Sequence, residues 1–311
     1  MEKIVVVFAS DDNYAQHLGV ALTSLLENTS SGNDILVFII DGGISDKNKA
    51  KINRQAEIYG AEVGFIAPSY LTEQKFPVSN YFTQSTYYRI AIPDLLPQNI
   101  YKALYLDCDI IVKGDIRTLW AKDVSECHLM AARDIGNSQC ETLGLPAGSA
   151  YFNSGVLVMN LKKWRADDIS NKVFEFIRSN DEKLLNHDQD ALNAVLFNRW
   201  KELPEMWNSF RYMRSLWELI RKTVSFNRKT QPCILHYVGS IKPWHYRFIN
   251  PQKKEYYKYL SLTEWNDYIP PDKSLKTFIT KYTLFIMPDR MINAWSKSIA
   301  SVVQHINDKT V

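Results

Sequence analysis

Asp107 and Asp109 flank Cys108 directly after the apolar run Ala103-Leu104-Tyr105-Leu106. In an extended segment, residues two apart point to the same side, so the two carboxylates are expected to face one ion. Their place at the carboxyl end of an expected parallel strand is where α/β sheets hold ligands. Two hard oxygen donors suit Mg2+ or Mn2+ and leave coordination positions for phosphate oxygens. The spacing alone is unspecific, because Asp188-Gln189-Asp190 repeats it; the strand before Asp107 distinguishes the first pair. A second constellation is His236-Tyr237-Val238-Gly239-Ser240-Ile241-Lys242-Pro243-Trp244-His245. A neutral imidazole at His236 adds a nitrogen ligand that favours Mn2+ over Mg2+. Gly239 lets backbone N–H groups approach an anion, and Lys242 is a point charge suited to phosphate. Taken singly, His236 reads as a buried histidine and Lys242 as a surface lysine. Their grouping inside a basic stretch is what points to a site.

The elements that must position these residues alternate between apolar runs and helical patterns through the first two-thirds of the chain. That is the sequence form of a mostly parallel, Rossmann-like sheet flanked by helices. Ile4–Phe8, Ile35–Ile40, Val63–Ile66, Ala103–Leu106 and Gly155–Met159 read as buried strands. Ser10-Asp11-Asp12-Asn13 opens a helix carrying Ala15, Leu18, Leu22, Leu25 and Leu26, and Ser45 caps one that ends near Gly60. Further helices are expected over 165–179 and Asp188–Phe197, the latter with acidic residues at its positive end. Ile234-Leu235 reads as a short strand. In the tail, Trp295, Ile299, Val302, Val303 and Ile306 fall at helical spacing, a stripe suited to packing on the body or lying on a membrane surface. No repeat or flexible linker divides the chain. We therefore expect one catalytic domain over 1–272 and a basic, aromatic, helical tail over 273–311.

The 311 residues are 46% hydrophobic and 23% charged, which supports a sizeable core and excludes a disordered chain. Apolar runs are far shorter than the roughly 20 residues of a membrane span, and Ile4–Ala9 lacks the flanks of a signal peptide. Four unpaired-looking cysteines argue against a disulfide scaffold or zinc ribbon, so a cytoplasmic location is expected. The net charge of +3 conceals an asymmetry: residues 1–210 carry 20 basic and 27 acidic side chains, whereas 211–258 carry 11 basic and 2 acidic. Such a basic block suits an anionic partner. No nucleic-acid motif is present, and the aromatics of 207–226 are not spaced as a stacking platform, so no nucleic-acid partner is expected.

Six segments in order, Phe8-Ala9-Ser10-Asp11-Asp12-Asn13-Tyr14, Leu104-Tyr105-Leu106-Asp107-Cys108-Asp109, Phe152-Asn153-Ser154-Gly155-Val156, Asn160-Leu161-Lys162-Lys163-Trp164-Arg165, Asp188-Gln189-Asp190 and His236-Tyr237-x-Gly239-x-x-Lys242-Pro243-Trp244, resemble glycosyltransferase family 8 over roughly residues 4–247. The resemblance is strongest to the bacterial lipopolysaccharide α-galactosyltransferases and α-glucosyltransferases. It implies a glycosyltransferase A-type fold and a retaining, Mn2+-dependent transfer of galactose or glucose from UDP-galactose or UDP-glucose to an oligosaccharide or lipopolysaccharide core. It further implies that Ala9, Asp11, Asn13 and Tyr14 hold uracil and ribose, with Cys108 beside the nucleotide. Asp107, Asp109 and His236 would bind the metal, and Gly239 and Lys242 the pyrophosphate. Arg89, Asp134, Asn153 and Asp188 would contact the donor sugar, with Gln189 under the anomeric carbon. The loop Phe76–Gln84 would help bind acceptor, and the tail would meet the anionic inner face of the cytoplasmic membrane.

The implied chemistry is sound on its own terms. Cleaving the sugar–diphosphate bond develops negative charge that a metal and a lysine stabilise, while oxygen donors such as Gln189 and Asp134 stabilise an oxocarbenium-like sugar. Glutamine is a poor nucleophile, which favours front-face attack within an ion pair over a covalent intermediate. Two other readings of the residues stay open: an aspartyl-type phosphatase using Asp107 as nucleophile and Asp109 as general acid, and a non-catalytic module binding an anionic membrane.

Overall fold

A computed structural model describes residues 3–30, 34–68, 84–135, 140–210, 231–275 and 277–279. They form two compact units, one from the described residues of 1–210, 232–236 and 259–266, the other from 231, 237–258 and 267–279.

The first unit is built on a seven-stranded sheet. Its strands are β1 (Ile4–Ser10), β2 (Ile35–Asp41), β3 (Glu62–Ile66), β4 (Lys102–Leu106), β6 (Leu129–Arg133), β7 (Phe152–Asn160) and β8 (Trp200–Leu203), in the order β3-β2-β1-β4-β7-β6-β8. A separate two-stranded sheet joins β5 (Ile110–Val112) to β9 (Ile234–His236). In the large sheet only β7 runs against its neighbours, pairing antiparallel with β4 and β6, so the expected mostly parallel sheet is present. Side chains alternate between faces along β1, and both faces are covered. Val5 and Val7 join a core with Trp164, Ile169, Val173, Ile177 and Leu192. Ile4, Val6 and Phe8 join the other core with Leu18, Leu22, Leu25, Ile52 and Ala56.

Helix starts follow the local chemistry. Asp11 Oδ1 accepts from Tyr14 N at 3.1 Å and caps a 3-10 turn over Asp12–Tyr14 that leads into the helix Ala15–Glu27. Ser45 caps the helix Asp46–Ile58, and Asp12 Oδ1 accepts from Ser45 N at 2.8 Å, tying the two helix starts together. The single helix expected over 165–179 is two, Leu161–Ala166 and Ile169–Asn180. The break falls at Asp168, whose φ of 52° lies in the left-handed region. Aspartate tolerates that conformation because its short polar side chain bonds locally, here accepting from Asn171 Nδ2.

In the second unit, Trp244 packs on Tyr256, and Tyr237 meets Phe248 edge-on. Asp272 accepts from the backbone N–H groups of Tyr246 and Arg247. No helix among the described residues is long and apolar enough to cross a membrane. The tail stripe from Trp295 to Ile306, the loop at 76–83 and most of the aromatic stretch 207–226 lie outside the described residues.

Candidate active site

β4 ends at Leu106, and the chain turns through Cys108 and Asp109 before β5 begins at Ile110. The two carboxylates therefore converge because the chain turns, which corrects the expectation that period-2 alternation in an extended segment aligns them. The turn is anchored by Asp107 N, which donates to Gly155 O at 2.9 Å across the sheet. Antiparallel pairing of β5 with β9 sets Ile110 opposite His236 and so delivers the imidazole to Asp109 from 127 positions away in sequence. His236 Nε2 lies 3.2 Å from Asp109 Oδ1 and 3.7 Å from Asp107 Oδ2. Among the described residues, these three side chains offer ligand atoms all within 4.8 Å of one another.

The donor set fits a divalent cation. Two carboxylate oxygens and one imidazole nitrogen suit a divalent metal ion, and His236 Nδ1 is bonded to Asn208 Oδ1 at 2.9 Å, which leaves Nε2 for a metal. Glycine is required beside this set. A Cβ on Gly155 would collide with the His236 ring and fall 2.6 Å from Asp107 Oδ2.

A charged network adjoins the cluster. Asp107 Oδ1 accepts from Tyr105 OH at 2.6 Å and from Arg89 Nη2 at 2.9 Å, leaving Oδ2 toward His236. The buried Arg89 also reaches Asp188 Oδ2 at 3.2 Å, and its Nη1 donates to Ser154 O and Oγ at 2.9 and 2.8 Å. Burial works against the Arg89 charge, but Asp107 and Asp188 outweigh it and hold the guanidinium more firmly protonated. Burial pushes the Asp188 carboxyl up to about 6; Arg89 pulls it down and Asp107 pushes it further up. Three carboxylates, Asp107, Asp109 and Asp188, thus surround one guanidinium, an excess of negative charge that a divalent cation would balance.

Gln189 and Asp134 are brought together. Gln189 Oε1 accepts from Ser154 N at 2.9 Å, which turns Nε2 toward Tyr151 OH at 3.2 Å and Asp134 Oδ2 at 3.4 Å. Gln189 therefore offers Asp134 an N–H, while its oxygen faces the Ser154 backbone. Asp190 is fully buried and accepts from Tyr151 OH and from the N–H groups of Leu185 and Asn186, fixing the start of the helix His187–Val195. Asn153 Oδ1 accepts from Gly155 N and Asn208 Nδ2, so its oxygen is directed to the His236 side.

The other expected residues divide by location. β1 and β4 are parallel neighbours with Val7 opposite Tyr105, and Cys108 Sγ donates to Ala9 O, so Ala9 and Asp11 lie at the same sheet end as the carboxylates. Burial raises the Cys108 thiol well above its ordinary range. Tyr14 is 36% exposed and meets His17 edge-on, and Asn13 is exposed beside it. Gly239 and Lys242 belong to the second unit. There Gly239 adopts a φ of 90°, and Lys242 Nζ donates to Tyr237 O at 2.7 Å.

Sequence reasoning missed Gly155, Asn208, Ser154, Tyr105 and Tyr151. Gly155 carried a signal: a glycine inside a strand buried at all nine positions marks a close approach. Asn208 carried none.

Fold and site together define a glycosyltransferase of the A-type α/β architecture. The solved structure of the galactosyltransferase LgtC in complex with donor and acceptor sugar analogs is 25% identical with a TM-score of 0.72, covering 86% of this chain and 98% of that chain. The chain belongs to glycosyl transferase family 8, whose family model matches residues 5–247. Similar proteins include General stress protein A of Bacillus subtilis, 34% identical over 84% of this chain and 94% of that protein. The lipopolysaccharide 1,2-glucosyltransferase of Escherichia coli K12 is 28% identical over 94% of this chain and 88% of its own length. The lipopolysaccharide 1,3-galactosyltransferase of Salmonella typhimurium is 25% identical over 85% and 80%. Family membership sets aside the phosphatase and non-catalytic readings.

Proposed function

We propose that this protein transfers galactose or glucose from UDP-galactose or UDP-glucose to a glycan acceptor of the lipopolysaccharide or lipooligosaccharide core, with retention of anomeric configuration. The observation that carries the proposal is the Asp107–Asp109–His236 cluster at the carboxyl end of β4. The activities for which the Escherichia coli and Salmonella typhimurium relatives are named support the hexose and the acceptor class. Mn2+ is the favoured ion, with Mg2+ as the alternative. When bound, it would supply positive charge against the charge that develops on the departing diphosphate.

The chain's own residues would do the rest. Ala9, Asp11, Asn13, Tyr14 and Cys108 would receive the nucleotide at the ends of β1 and β4, and Gly239 and Lys242 the pyrophosphate. Arg89, Asp134, Asn153 and Asp188 would orient the sugar. Asp134, held by the Gln189 amide, would be the carboxylate facing the electron-poor sugar carbon. Because Gln189 Oε1 accepts from Ser154 N, Gln189 is poorly disposed to attack that carbon, and front-face substitution is the favoured route. We take 1–272 as the catalytic region. The tail 273–311, with 6 basic and 2 acidic residues, would hold the protein weakly at an anionic cytoplasmic membrane surface.

Incubation with Mn2+ and a panel of nucleotide-sugars, monitoring nucleotide release, tests the proposal. UDP release from UDP-galactose or UDP-glucose, accelerated by a core oligosaccharide, is expected. No release from any UDP-sugar with either ion would remove it.

A further inference from the structure

His236 presents Nε2 to the carboxylates of Asp109 and Asp107, and a chain of neutral amides meets its other nitrogen, Nδ1, from behind. Gly155 N–H donates to Asn153 Oδ1 at 3.0 Å, and Asn208 Nδ2 donates to the same oxygen at 2.8 Å. Asn208 Oδ1 in turn lies 2.9 Å from His236 Nδ1. An amide side chain can be turned over without changing its shape, so its direction has to be argued from its partners. A backbone N–H only donates, so the atom of Asn153 facing Gly155 must be its oxygen. That oxygen then requires a donor from Asn208, which turns the Asn208 carbonyl toward the ring. An acceptor on Nδ1 requires Nδ1 to carry the proton. Each assignment follows from the one before, and the first is fixed by the main chain.

The backbone places Asn208 for this task. It follows the 3-10 turn Glu205–Trp207, and the next residue is clamped to β9 by Ser209 N donating to Ile234 O and His236 N donating to Ser209 O. Asn208 is fully buried, as are Asn153 and the ring of His236 to within a few per cent. Breaking one member would leave buried polar atoms without partners.

We propose that Asn208 is a positioning residue of this site: anchored through Asn153 to the Gly155 N–H, it holds His236 in the Nδ1–H form with Nε2 presented toward Asp107 and Asp109. The inference rests on the proposed metal role of those three residues and extends it to Asn208, to which no ligand contact is assigned. Outer partners of this kind commonly change metal affinity on the order of 10–100-fold.

Two measurements test it. In 15N-histidine-labelled protein, with Mg2+ bound and at alkaline pH without metal, the His236 Nδ1 resonance should be that of a protonated nitrogen. A bare Nδ1 with protonated Nε2 overturns the proposal, and this reading needs no variant. Second, Mn2+ titration followed by electron paramagnetic resonance should give Asn208→Leu an affinity weaker by roughly 10–100-fold. Asn208→Asp, which keeps an acceptor at Nδ1 but loses the donor to Asn153 Oδ1, should recover part of it. Asn208→Leu binding Mn2+ as the wild type does overturns the proposal. Wild-type protein that binds no Mn2+ would remove the metal reading, while the metal-free Nδ1 resonance would still decide the tautomer.

Discussion

Two networks meet at the start of β7 and differ in kind. On one side, Arg89 ties Asp107 to Asp188 and Ser154 with charges taken out of water. On the other, Asn153 and Asn208 reach His236 with neutral amides. The charged side concentrates potential, which binds ions and responds to pH; the neutral side fixes direction and has nothing to titrate. A metal site needs both, and Gly155 lies between them, with no room for a side chain on the face shared by His236 and Asp107.

The largest effect is expected from breaking the charged side. Arg89→Met would leave the buried Asp188 and the partly buried Asp107 without their guanidinium, a loss of about 3–5 kcal/mol in urea-denaturation stability of the metal-free protein. A loss below 1 kcal/mol would mean that the charges are well solvated.

Gly155→Ala tests the junction. The added methyl should displace the ring and Asp107 together and weaken Mn2+ binding by roughly 100-fold, with the sheet intact by circular dichroism. Wild-type affinity would show that the close approach is unimportant.

The pH response sharpens the contrast. Asp188, with its carboxyl pushed up to about 6, binds a proton in the folded state at pH values where the unfolded chain has released it. Its contribution is therefore fully present below about pH 4 and is lost as pH rises through about 6, on the order of 1–3 kcal/mol in the metal-free protein. Asp188→Asn should flatten that segment of the stability profile, whereas Asn208→Leu, which neither removes nor adds a titratable group, should not. Lys242→Ala, outside both networks, should weaken UDP binding and slow transfer by only three- to tenfold, the rough scale of one exposed charged contact. Isothermal titration with UDP would show it.

Much of this was legible in sequence, and the exceptions share a cause. β1, β2, β4 and β7 announced themselves as apolar runs because both faces of the sheet are covered. Asp107 and Asp109 were found because they directly follow such a run, although the turn that makes them converge left no mark. His236 was recognisable from its neighbours, whereas its route to Asp109 was not. β9 was read from Ile234-Leu235, but β5, three residues long, is too short to show a period, and the pairing of the two is a tertiary event. β6, as long as β4, escaped because Leu129-Met130-Ala131-Ala132 carries no β-branched or aromatic residue, β8 because two of its four residues are charged, and the break at Asp168 because a lone aspartate can equally sit inside a helix. Asn208 was invisible: its role exists only once Asn153 and His236 are beside it.

The central claim is that Asp107, Asp109 and His236 grip one divalent cation. Mn2+ titration of wild-type protein and of Asp109→Asn, counting bound ions by the loss of free-ion paramagnetic signal, tests it most directly. One ion per wild-type chain and at least a tenfold weaker site in Asp109→Asn is the expected result. Equal binding by the two proteins would contradict it.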